Sequence, residues 1–179
     1  MHMSRVVQMV GKTLLPRKAV PGKGILEPSV THLRVNVFDL DMLFHVNNGI
    51  YLQMADLARW DYLSDLNGMA KLRSKRWYPV VAAASVKYKR SMKFGEKITI
   101  TTRVIGWDER CVYLEQLFTS RGDKLHATAW IAARFLKVGG ERIAMGDVLE
   151  LLADGEVPPS PLLPADVAAW ARAVDVSPR

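Results

Sequence analysis

Ten residues, Asp39-Leu-Asp-Met-Leu-Phe-His-Val-Asn-Asn48, hold two carboxylates, an imidazole and two amides. A helical pattern follows them, so they stand where the chain enters a helix N-terminus. Unpaired N–H groups and the positive end of the helix dipole collect there. A carboxylate beside such donors can act as base or nucleophile while the donors hold charge developing on an oxygen. Asp41 lies on the loop feeding the helix, four residues before His45 and six before Asn47. Asp39 is expected to point away from it. Asp and Asn are also the residues that turns and helix caps prefer. On spacing alone, turn chemistry and catalysis both remain readings of this segment.

Little else in the chain has the spacing of a reactive centre. His2, His32, His45 and His126 form no HxH or HExxH pair, and Cys111 has no second cysteine. No metal site is expected, since zinc needs three or four convergent ligands. No GxGxxG, GxxxxGK[ST] or GxSxG motif occurs, so no nucleotide cofactor or serine elbow is expected.

The net charge of +7 is unevenly spread. Residues 1–23 hold five bases and no acid, residues 71–97 nine bases against Glu96, and residues 145–179 six acids against two arginines. A basic middle suits nucleic acid, an anionic membrane surface, a phosphorylated small molecule, or water alone. Trp77, Tyr78, Tyr88 and Phe94 interleave the bases as in a single-strand binder. They read more simply as strand aromatics, and no nucleic-acid partner is expected.

The elements that must position these residues follow from periodicity. Residues 30–38 alternate as a strand, with Leu33, Val35 and Val37 on one face. Tyr51, Met54, Ala55, Ala58, Tyr62 and Leu66 form one stripe of a helix of about 18–20 residues, capped by Asn47 or Asn48 and stopped near Gly68. Strands are expected at 80–90, 97–106, 111–120 and 124–137, with Gly122-Asp123 as a hairpin turn. Short helices are expected at 147–154 and 165–174. Residues 1–29, broken by Pro16, Pro21 and Pro28, read as an extended lead-in.

The chain thus divides into the lead-in 1–29, an α+β domain 30–140 and a helical extension 141–179. Its 179 residues are 49% hydrophobic and 24% charged, enough for one buried core and unlike a disordered or disulfide-rich chain. No run is long and apolar enough for a transmembrane helix, and no secretory signal is read. The lone cysteine fits a reducing, cytoplasmic compartment.

Phe38-Asp-Leu-Asp-Met-Leu-Phe-His-Val-Asn-Asn-Gly-Ile-Tyr-Leu52 resembles the D-x-D-x-x-G-H-V-N-N-x-x-Y-L signature of hotdog-fold acyl-CoA thioesterases of the 4-hydroxybenzoyl-CoA thioesterase-like group. Ala55-Asp-Leu-Ala-Arg59 resembles its E-x-A-R stretch. Residues Ala84–Glu96 resemble its strand, basic turn and F-G-D/E hairpin. Gly106-Trp-Asp-Glu-Arg110 with Tyr113-Leu-Glu115 resembles the branch around thioesterase superfamily member six. The likeness spans about residues 30–137, and it departs at Phe44, where the family usually has glycine.

The resemblance implies a hotdog fold, an antiparallel sheet wrapped around one long helix. It implies hydrolysis of a fatty or aromatic acyl-CoA with Asp41 as base or nucleophile. Backbone N–H groups of His45 and Val46 are the implied oxyanion donors, with His45 and Asn47 in the catalytic set. Asn48, Lys89, Arg90 and Lys93 are the implied coenzyme A contacts. A homodimer or homotetramer is implied, with no cofactor. The alternative is a non-catalytic acyl-CoA-binding protein of the same fold.

Overall fold

Strict alternation of apolar and polar side chains makes strands, and four long alternating stretches here pair in one sheet. The computed structural model describes residues 5–153 and 156–177. Its strands are β1 (Ser29–Arg34), β2 (Trp77–Tyr88), β3 (Lys97–Trp107), β4 (Val112–Ser120) and β5 (Lys124–Lys137). They form a five-stranded antiparallel sheet in the order β1-β3-β4-β5-β2. Gly122 and Asp123, at φ +73° and +54°, turn the β4–β5 hairpin as expected.

The helices are α1 (Arg5–Leu14), α2 (Asn48–Asp65), α3 (Gly68–Lys75), α4 (Met145–Ala153) and α5 (Ala165–Ala173). The expected stripe on α2 is buried along its whole length, from Tyr51 to Leu66, against Ile98, Ile100, Phe118, Ala129 and Ile131 of the sheet. α2 and α4 share this face. Alternate residues Tyr113 and Ala132 point the other way, where Val167 and Ala171 of α5 cover them with Cys111. α2 lies over β1 and β3 rather than over the centre of the sheet. A space therefore opens above β4, β5 and β2, and α4 roofs it.

Three expectations need correcting. The first strand ends at Arg34 rather than at residue 38. Asn36 caps a single 3-10 turn, Val37–Asp39, its side chain accepting from Phe38 N–H at 2.9 Å. Asp39 Oδ2 in return accepts from Asn36 N–H at 2.7 Å, and Val37 is left exposed. Gly68 does not end the helical region. The chain turns at Asn67 (φ +54°) and starts α3 at Gly68, where a Cβ would come 2.8 Å from Leu152 Cδ2.

The lead-in is not simply extended either, since residues 5–14 are helical. Its bases are anchors: Arg5 pairs with Asp39, Lys12 with Asp61, Arg17 with Asp61 and Asp65, and Lys23 with Asp65. Those acids lie 34 to 49 residues further on for the first three, so nothing local reveals the pairing. All three prolines fall after Leu14 and stop the helix rather than forbid it.

The Arg5–Asp39 pair is bidentate, with Nε–Oδ1 at 3.0 Å and Nη2–Oδ2 at 2.7 Å, and both side chains are buried. Removing one partner strands the other charge away from water. Asp39→Ala is expected to lower unfolding free energy by about 3–5 kcal/mol, read from urea midpoints. Arg5→Met combined with Asp39→Leu is expected to recover much of that loss.

Candidate active site

Between the 3-10 turn and α2 the chain closes a tight loop on Asp41. Asp41 N–H donates to His45 O at 2.8 Å and Phe44 N–H to Asp41 O at 3.0 Å. Asp41 Oδ1 accepts from Leu43 N–H at 2.9 Å and from His45 N–H at 3.2 Å. One carboxylate oxygen is thus pinned by the loop's own backbone. The loop closes only because Phe44 takes φ +57°. That left-handed conformation suits glycine and costs other residues of order 1–3 kcal/mol. The Phe44 side chain stays 78% exposed, so it meets no clash.

After the loop, His45 pairs with Lys93 and Leu40 with Val46 in short antiparallel bridges. Val46 N–H donates to Met92 O at 3.1 Å, and Asn47 N–H to Asp39 O at 2.8 Å. Asn47 then caps α2, its Oδ1 accepting from Gly49 N–H at 2.9 Å. This corrects the expected oxyanion donors. His45 N–H is held by Asp41 itself and Val46 N–H by Met92, because the chain still runs as paired strand at 45–46. Asn48 N–H, the first amide of α2, has no acceptor among the described residues.

Asp41, His45, Val46, Asn48, Lys89 and Arg90 line one open pocket of about 610 Å³. The structure brings these six expected residues together. Asn47 serves as cap, and Lys93 contributes its backbone to the His45 bridge rather than lining the pocket. Tyr51, Tyr88 and Ser91 complete the lining. Sequence reasoning placed Tyr51 in the helix stripe and Tyr88 in a strand, with no signal that they met. Their rings meet edge to face at 4.9 Å, and Tyr88 OH donates to Asn48 O at 3.1 Å. Burial raises both phenol pKa values, so both rings stay neutral; for Tyr51 the Met92 backbone opposes burial in part.

The basic turn is shaped by a residue that sequence reasoning left aside. His126, fully buried on β5, accepts Lys89 N–H at 2.7 Å and Arg90 N–H at 3.1 Å on its carbonyl. Its Nε2 lies 2.8 Å from Ser120 Oγ and 3.2 Å from Glu96 Oε1. Glu96 Oε2 accepts from Lys93 N–H at 3.0 Å. By alternation His126 falls with Thr128 and Trp130 rather than with the Ala127, Ala129 and Ile131 face packed on α2, and the register shift that buries it is not visible in the sequence.

A second cavity, about 840 Å³ and almost wholly apolar, lies in the space beside α2. Leu63, Leu114, Phe135, Val148 and Leu149 line it. Arg59 and Asp56 also line it and pair with each other, and Arg59 Nη1 donates to Gln116 Oε1 at 2.8 Å. Both cavities are bounded by α2 on one side and by β2 or the turn after it on the other. No helix among the described residues is long and apolar enough to cross a membrane.

A five-stranded antiparallel sheet carrying a long helix, with a carboxylate loop at the helix N-terminus, is the hotdog class. The solved structure of the probable thioesterase YbaW from Escherichia coli superposes with a TM-score of 0.64 at 24% identity, covering 70% of this chain and 98% of that one. The pattern of the thioesterase-like superfamily matches residues 35–171, and the chain belongs to that superfamily. Protein THEM6 of Danio rerio is 30% identical over 157 residues, 88% of this chain and 75% of that protein. The long-chain acyl-CoA thioesterase FadM of Escherichia coli is 28% identical over 89 residues, 50% of this chain and 67% of that protein.

Burial alone would raise the Glu96 carboxyl, but Lys93 N–H, the Ser120 hydroxyl, His126 and Lys124 outweigh it and hold it below its ordinary 4.5. A carboxylate so depressed stabilises the fold above its unfolded value, and the contribution is lost as pH falls through the folded value. Urea midpoints of the wild type are expected to drop between about pH 5 and pH 3. Glu96→Gln is expected to flatten that limb; an equally steep limb would assign the acid loss to other groups.

Proposed function

We propose that the open pocket hydrolyses the thioester of an acyl-CoA, with Asp41 as general base or nucleophile. The observation that carries this is the Asp41 loop. It fixes one carboxylate oxygen with two N–H groups and leaves the other in a pocket shared with Asn48, Lys89 and Arg90. As base, Asp41 takes the proton of a water whose oxygen bonds to the thioester carbon. The carbonyl oxygen then carries negative charge, for which the Asn48 N–H at the positive end of α2 is the available donor. The C–S bond breaks as the carbonyl re-forms, and the departing thiolate takes the proton from Asp41. As nucleophile, the carboxylate would bond to the thioester carbon and expel the coenzyme A thiolate, and water would then open the mixed anhydride to the free acid and the Asp41 carboxylate.

Lys89 and Arg90 supply positive charge for the coenzyme A phosphates. The apolar cavity beside α2 supports a fatty rather than a small aromatic acyl group, since its lining offers carbon and a single ion pair. The unpaired, buried Cys111 supports a reducing, cytoplasmic setting.

The active unit in this reading is a homodimer. β2 is an edge strand of twelve residues, Trp-Tyr-Pro-Val-Val-Ala-Ala-Ala-Ser-Val-Lys-Tyr, yet none of them is fully buried. A long apolar edge invites pairing with a second copy. Light scattering is expected to give twice the 20.1 kDa chain mass, or four times if dimers pair. A single-chain mass at micromolar concentration would remove the dimer from the proposal.

Asp41→Asn keeps the loop, because Asn Oδ1 accepts the same two N–H bonds. Its folding midpoint and acyl-CoA affinity are expected to hold while kcat falls by about 10²-fold or more, the scale of losing a positioned base. A variant of unchanged kcat would exclude Asp41 from the chemistry. Absence of turnover by the wild type across acyl-CoA esters of graded length would favour the binding-only alternative.

A further inference from the structure

α1 is built inside out. Arg5 and Lys12, seven residues apart and hence on one face, turn into the protein onto Asp39 and Asp61. The outward face carries Val6, Val10 and Leu14, spaced by four and 64%, 52% and 72% exposed. Leu15 follows at 83%. Helices on soluble proteins ordinarily turn the apolar stripe inward. Here the buried ion pairs fix the orientation, so the apolar face is held outward by the fold.

The surroundings of this stripe are cationic. Lys18 follows it and is exposed. α3 lies alongside, Arg73 Nη2 donating to Thr13 O at 3.4 Å, and Arg73, Lys75 and Arg76 are exposed. None of these four cations forms an ion pair among the described residues. The acids nearest α1 in the fold, Asp39, Asp61 and Asp65, are already consumed by Arg5, Lys12, Arg17 and Lys23.

We propose that α1 is an interfacial helix that docks the chain on an anionic phospholipid surface. Valine and leucine side chains enter the acyl boundary, and lysine and arginine at the rim meet the headgroup charge. A second copy is a poorer occupant, since two such faces would bring their unpaired cations together. The face also stays open in a dimer paired along β2. β1 and β2 are opposite edges of the sheet, and Arg5 Nη2 anchors α1 at the β1 edge through Arg34 O at 2.8 Å. Val37 and Phe38, exposed and adjoining Asp39, extend the apolar surface at the helix's N-terminal end.

Sedimentation of the full chain with sucrose-loaded vesicles tests this without reference to turnover. The wild type is expected to pellet with phosphatidylcholine–phosphatidylglycerol vesicles, less so with phosphatidylcholine alone, and less as salt rises. V6N/V10N/L14N is expected to bind at least about ten-fold more weakly at an unchanged melting temperature, since these side chains face solvent. K18E/K75E/R76E, which leaves the Arg73 bond to Thr13 O in place, is expected to abolish the preference for the anionic vesicles. The proposal is overturned if the wild type stays in the supernatant, or if both variants bind as it does. It is equally overturned if V6N/V10N/L14N lowers the oligomeric mass, which would give the face to a second copy.

Discussion

The buried pair between Arg5 and Asp39 decides what both ends of the molecule can do. Asp39 is the closer carboxylate to β1 and would otherwise compete with Asp41 for the role of free acid. Arg5 takes both its oxygens, and Asn36 N–H takes a further bond. The same contact turns α1 so that its charged side faces in. One desolvated guanidinium thus holds Asp39 inside the fold, leaves Asp41 as the aspartate that lines the pocket, and fixes which face of the first helix meets solvent. Such a pair adds little net stability over an apolar replacement, but breaking it is costly, so it acts chiefly as a geometric lock.

The pocket depends on a second constraint, the pairing of 45–46 with 92–93. Because this stretch is still strand-like, the N–H groups of His45 and Val46 are paired, and α2 begins only after the Asn47 cap. The first unpaired amide is therefore at Asn48. His126 and Glu96 hold the other side of that pairing by fixing the turn from Lys89 to Lys93. A buried imidazole on β5 thus reaches the substrate side only through backbone: it sets the direction of two cationic residues without lining the pocket itself.

How much of this was legible in sequence varied with the range of the interaction. The four later strands and the α2 stripe are periodic in themselves, and their bounds lie within a few residues of expectation. The Asn47 cap is local and was equally visible. Residues 5–14 were missed although Val6, Val10 and Leu14 stand at helical spacing, because the prolines at 16, 21 and 28 were read as breaking the whole segment and the partner acids lie far along the chain. The N–H groups expected as oxyanion donors are bonded for a related reason: His45 N–H is taken by Asp41 and Val46 N–H by Met92, which only the fold brings near. Phe44 shows the reverse case. The departure from the family glycine is plain in sequence, and the structure shows its cost: a left-handed turn that phenylalanine adopts at some strain.

The acids spent inside the fold leave cationic groups unmatched at two places on the surface. Asp39, Asp61 and Asp65 are spent inside the fold, each on bases of the N-terminal segment, and Glu96 on the turn beside His126. Lys89 and Arg90 on the basic turn, and Arg73, Lys75 and Arg76 at the end of α3, form no ion pair among the described residues. The first lines the pocket proposed to take the coenzyme A phosphates, and the second lies outside that pocket. Two local cationic surfaces thus stand out within the net charge of +7. The two differ in what accompanies the charge: tyrosine hydroxyls and a carboxylate in the pocket, and bare valine and leucine beside α3. Polar company suits a ligand held by hydrogen bonds, and aliphatic company suits one that also offers hydrocarbon.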